Sequence, residues 1–137
     1  MTRGTRPRGR VRTPGWIAWW GLWALITLPW GDVQQEAQWQ RVEWIPFQLG
    51  LLRDAALNFL FFVPFGILAT RPGRAAGRVA AAAAVVSVAT ELLQLYAGGR
   101  FPSATDVVVN VAGAFSGSVG ARWWRGPIRP SAPFPRR

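Results

Sequence analysis

The chain has 137 residues, half of them hydrophobic, a net charge of +10, and neither cysteine nor histidine. That length predicts one domain, and the missing residue types exclude disulfides, thiolate nucleophiles, Cys/His zinc sites and imidazole base catalysis. Any chemistry must use carboxylates, amides, hydroxyls or arginine, the last being the chain's sole basic residue type, with 16 copies.

Residues 1–14 are mostly Arg, Gly, Pro and Thr and predict a basic, disordered tail. The first apolar stretch, Gly15–Trp30, carries Trp16, Trp19, Trp20 and Trp23 at helical spacing, an aromatic face for packing and for a membrane interface. It resembles a signal peptide in having a basic start, but Leu28-Pro29-Trp30 offers no small-residue cleavage site, so a retained span is expected. Residues 31–53 open polar and turn apolar around Trp44-Ile45-Pro46-Phe47 and Leu49, Leu51 and Leu52. The second half is read as an interfacial segment leading into the next span.

The second stretch, Ala55–Thr70, contains Pro64 and Gly66, which predict a kinked, loosened helix. Its Phe59, Phe61 and Phe62 could line the apolar part of a binding pocket, but most are expected to face lipid. The third, Val79–Ala97, opens on five consecutive alanines that permit close helix approach, and Gly98-Gly99 stops it. The fourth, Ala104–Trp124, carries Gly113-Ala-Phe-Ser-Gly117, a small-xxx-small packing face that could also join two copies or a partner subunit. Residues 125–137 predict a second basic tail.

A bilayer core about 30 Å thick needs about 20 apolar residues per helix. The four stretches therefore predict an all-α, compact four-helix transmembrane bundle over residues 15–124. Thirteen arginines fall in three segments without Asp or Glu: the two tails and residues 71–78. The other two connections mix Arg41, Arg53 and Arg100 with Asp32, Glu36, Glu43 and Asp54. This positive-inside alternation places both termini in the cytoplasm and argues against nucleic acid as a partner. Membrane lipids are the expected surroundings.

That topology sets the depth of each polar residue. Asn58 lies one turn into the second span, on the face of Asp54. Glu91 and Gln94 lie about two turns and one turn below the outer end of the third. Asp106 and Asn110 share a face in the first two turns of the fourth, and Arg100 sits in the connection. Six polar side chains from three helices thus fall at one depth, where a charge costs a few kcal/mol. Structural roles exist for each: interhelical bonds for Asn58 and Asn110, a bond to a free carbonyl for Gln94, a capping box Ser103-x-x-Asp106, and an ion pair of Glu91 with Arg100 or Arg53. Their convergence favours a site. Asn58, Glu91, Gln94, Arg100, Ser103, Asp106 and Asn110 are the candidate ligand-binding residues, and Glu91 and Asp106 the candidate catalytic ones. No metal motif is present, and no cofactor is expected.

Ile45-Pro46-Phe47, Asn58-Phe-Leu-Phe-Phe-Val-Pro64-Phe-Gly66, Glu91-Leu-Leu-Gln94 and the run from Gly99-Arg100 through Asp106 and Asn110 to Gly117 give the chain a further reading. Over residues 43–120 it resembles the VanZ-like family of small bacterial membrane proteins. The resemblance implies a multi-pass protein of the bacterial cytoplasmic membrane, in a family whose founding member raises resistance to the glycopeptide teicoplanin. Three functions compete. One is binding of an amphiphile, such as a lipoglycopeptide or a lipid-linked envelope precursor, with Arg100 on a phosphate or carboxylate and the amides on sugars. The second is an enzyme using Glu91 and Asp106 on lipid headgroups. The third is a structural subunit of an envelope assembly, joined through the Gly113/Gly117 face.

Overall fold

Each apolar run becomes a helix: α1 (Thr13–Thr27), α2 (Leu52–Ala69), α3 (Ala76–Gln94) and α4 (Ala104–Arg125). The computed structural model describes residues 13–28, 30–45 and 52–126. Of the expected basic tails, 1–14 and 125–137, residues 1–12 and 127–137 lie outside the described residues, as do Pro46, Phe47, Leu49 and Leu51, while Thr13, Pro14 and Arg125 belong to α1 and α4. Among those described there is no strand, only two isolated backbone bridges.

Helices α2 and α3 are long and apolar enough to cross a membrane. Helix α1 has 15 residues, about 22 Å at 1.5 Å per residue and thus shorter than a bilayer core. Helix α4 has 22 residues, but its glycines, serines, Asp106, Asn110 and arginines dilute its apolar character.

Helices α2 and α4 form the principal pairing, and they run parallel: Asn58 meets Asp106 near the start and Thr70 meets Ser118 near the end. Glycine makes the approach possible. A Cβ on Gly113 or Gly117 would strike the carbonyl oxygens of Phe59 and Val63, one turn apart on α2, and a Cβ on Gly66 would strike that of Ala114. Backbone packs on backbone, with Cα–H groups facing carbonyls. The Gly113/Gly117 face is therefore packed against α2 within the chain.

Helix α2 continues through Pro64, whose ring cannot donate to Leu60. Nearby, the Trp19 indole donates to the Phe61 carbonyl at 3.0 Å. Trp19 is buried among Phe61, Phe62 and Phe65, stacking on Phe61 with ring centroids 5.4 Å apart. Phe61 and Phe62 thus pack against α1 instead of lipid, because α1 supplies a matching aromatic face. Trp23 extends the same face by donating to Thr90 of α3 at 3.1 Å.

The described part of the connection between α1 and α2 is held by backbone hydrogen bonds to the α3–α4 turn. Gln34 N–H donates to Tyr96 O at 2.8 Å and Gln38 N–H to Leu95 O at 2.9 Å; Glu43 N–H donates to Pro102 O at 2.8 Å, and the Glu43 carbonyl accepts from Ala104 N–H at 3.0 Å. Residues 30–45 are a strap bonded across the turn between α3 and α4, with one 3-10 turn at Trp39–Arg41. Unpaired backbone groups next to apolar helix ends are costly, and the two irregular segments satisfy each other. Gly99, at φ 77°, supplies the left-handed residue that reverses the chain beneath the strap.

Candidate functional site

The helix starts and stops place the polar residues at one end of the bundle. There α1 and α3 finish, and α2 and α4 begin. Leu52 opens α2 three residues before the expected start, which brings Arg53 and Asp54 into its first turn and puts Asn58 one turn on. Ser103 is the N-cap of α4, its hydroxyl accepting from Thr105 N–H at 3.2 Å. In a capping box the N–H of Ser103 would go to Asp106. Here it goes to Glu91 Oε2 at 2.9 Å, across from α3. Asp106 is thereby released from capping, and its carboxyl accepts from the side chain of Asn58 instead.

A cavity of about 370 Å³ lies at this end. Asn58, Gln94, Arg100, Ser103 and Asp106 all line it, as the sequence led one to expect. So do Asp54 and Glu43, which sequence reasoning did not place in the site. Asp54 left a signal, sharing a helix face with Asn58. Glu43 left none, because the backbone bridge to Ser103 brings it in from the strap. Arg100 extends over α1 and donates to the Ile26 carbonyl at 2.6 Å, so its expected pairing with Glu91 is replaced by a cap on the end of α1. The cavity holds three carboxylates, two amides and one guanidinium.

A second cavity, also about 370 Å³, opens beneath the strap between α3 and α4. Its walls are Trp39, Val42 and Trp44 from the strap and Val88, Leu92, Leu95, Val107 and Val108 from the helices. Glu91 and Ser103 lie in its wall, and Ser103 belongs to both cavities. A polar chamber and an apolar groove thus meet at the α4 N-cap. The two candidate catalytic carboxylates open onto different cavities. Among the described residues no group of three or more carboxylates is arranged to hold a metal ion.

Compared with known proteins, the chain matches the VanZ/LLP1 family over residues 15–125. The chain belongs to the VanZ/LLP1 family. No curated protein and no solved structure matches it. The VanZ/LLP1 match exceeds the 43–120 core expected from the motifs, and takes in α1 and the strap. That agrees with the structure, where both contribute walls to the polar cavity. Family membership and two helices of spanning length make this VanZ/LLP1 chain a membrane protein.

One candidate stands apart from the cavity. Asn110 is buried a turn deeper, donating to Ser87 Oγ at 2.8 Å, and among the described residues its side-chain oxygen has no hydrogen-bond partner. It links α4 to α3 below the cavity floor. Helical phase led one to expect it beside Asp106; the cavity's depth ends above it.

Proposed function

We propose that this VanZ/LLP1 protein is a four-span protein of the bacterial cytoplasmic membrane, with both termini cytoplasmic, that binds the polar head of an amphiphile at its outer end. The observation carrying this is the junction at Ser103 of a polar chamber and an apolar groove of equal volume. An amphiphile needs such a pair: hydrogen-bonding groups for the head and dry walls for the chain. The orientation rests on the arginine distribution.

The chamber's charge narrows the head. Glu43, Asp54 and Asp106 outnumber Arg100, whose guanidinium already serves a carbonyl. This favours ammonium and hydroxyl groups over phosphate, a shift from the anionic head that Arg100 alone suggested. A glycosylated, amine-bearing amphiphile fits, such as a lipoglycopeptide of the teicoplanin type. Sequestration of such a molecule would contribute to glycopeptide resistance. Paired-carboxylate chemistry by Glu91 and Asp106 has less support, since Glu91 is engaged at the N-cap and faces the apolar groove.

Mass spectrometry of amphiphiles co-purifying with the protein tests this. Asp106→Asn keeps shape and removes a charge. A hydrogen bond to a charged group is worth about 1.5–3 kcal/mol, so roughly tenfold less of a glycosylated amphiphile should be retained. Equal retention by wild type and a folded Asp106→Asn protein would refute the reading.

A further inference from the structure

We infer that the opposite end of the bundle holds the phosphate of an anionic phospholipid, a site separate from the head-binding chamber and beyond the proposed function. A cavity of about 290 Å³ lies between the α2–α3 turn and the last turn of α4. Arg71, Arg74, Arg122 and Arg125 all line it. Backbone carbonyls hold three of them: Arg125 donates to Thr70 O at 3.2 Å, Arg74 to Ala69 O at 3.4 Å, and Arg122 to the Arg74 carbonyl. Each guanidinium has five N–H groups, so these bonds fix its position while using a small part of its capacity.

The chain has no carboxylate side chain to neutralise this cluster. All six are Asp32, Glu36, Glu43, Asp54, Glu91 and Asp106, in the strap or in the turns nearest the polar end. Four like charges around one cavity repel, and an anion bound there would relieve that repulsion. The start of α3 adds to the demand. Its N-cap is Ala75, which makes no side-chain cap bond and lines the same cavity, so the positive end of the helix dipole faces it too.

A neighbouring groove separates a lipid from a free anion. About 360 Å³ of space runs along α2 and α4, walled by Val63, Ile67, Gly120, Ala121 and Trp124, and Arg125 lines both this groove and the arginine cavity. Phosphate beside a hydrocarbon-lined channel is the pattern of a phospholipid, and basic pockets of this kind on the cytoplasmic side of a membrane protein take anionic headgroups.

The purified full chain in neutral detergent is titrated with phosphatidylglycerol, phosphatidylcholine or inorganic phosphate, and binding is read by native mass spectrometry. Wild type should bind phosphatidylglycerol about tenfold or more tightly than phosphatidylcholine. Arg71→Gln/Arg122→Gln should lose that preference. Arg78→Gln, an exposed cation outside the cavity, should retain it, as should Asp106→Asn, which separates this site from the outer chamber. Gly120→Leu, which fills the groove, should weaken phosphatidylglycerol but leave phosphate unchanged. Equal binding of the two lipids, or an unchanged preference in Arg71→Gln/Arg122→Gln, overturns the inference. So does phosphate binding as tightly as phosphatidylglycerol, since a free-anion site would then suffice.

Discussion

Gly113→Ala combined with Gly117→Ala is expected to unfold the bundle in detergent. Each new methyl would fall inside the contact distance of a carbonyl on α2, at Phe59 and Val63. These are backbone atoms, which no rotamer change can move aside. Relief requires α4 to withdraw from α2, which breaks the Thr70–Ser118 bond of 2.9 Å and the Asn58–Asp106 bond as well. Overpacking costs about 1–3 kcal/mol per site, and two adjacent sites on one interface should reach the upper end together. Gly120→Ala is the internal control. Nothing lies within 4 Å of its Cβ position, so it should be neutral or add up to about 1 kcal/mol through helix propensity. Thermal or denaturant unfolding of the three proteins, followed by circular dichroism, gives the comparison. A double variant as stable as Gly120→Ala would show that the close approach of α2 and α4 is not what holds the bundle.

Glu91→Leu should destabilise the polar end, and Glu91→Gln should not. Glu91 accepts the N–H of Ser103, a residue only 5% exposed, and so holds the start of α4 to the end of α3. Glutamine keeps an acceptor oxygen in that place. Leucine leaves the buried N–H without a partner, costing about 1–3 kcal/mol, and frees the strap, whose Glu43 bonds to the two residues flanking Ser103. Protection of the amides of Glu43 and Ser103 from hydrogen exchange should fall in Glu91→Leu alone. The pair also separates structure from chemistry. Lost function in a stable Glu91→Gln protein would give Glu91 a catalytic role; normal function would leave it as the staple of the α3–α4 turn.

The helices were legible because apolar runs and the Ser103 cap are local signals, although α3 ends at Gln94, ahead of the Gly98-Gly99 stop expected for it. So was the gathering of Asn58, Gln94, Arg100 and Asp106, since i, i+4 spacing and span direction together fix both face and depth. What could not be read was the pairing of distant irregular segments. The backbone bonds of Glu43 to Pro102 and Ala104 leave no periodic trace, yet they bring a third carboxylate into the chamber and build the roof of the apolar groove. The exchange of partners at the α4 N-cap was hidden for the same reason: Ser103-x-x-Asp106 matches a capping box, and only the position of Glu91 on another helix overrides it. The Gly113/Gly117 motif announced close packing without saying against what, and the answer, α2 of the same chain, required the fold.

In the proposed function the polar chamber lies on the outer face and receives an amphiphile's head. The chain's lack of cysteine permits a direct measurement. Phe101 lines the chamber and is 59% exposed, so Phe101→Cys provides a single thiol at its mouth. Intact cells carrying that variant are treated with a membrane-impermeant maleimide, with and without a teicoplanin-type lipoglycopeptide. Labelling from outside that slows when the lipoglycopeptide is present is the expected result. Labelling that occurs only in inverted membrane vesicles would contradict it.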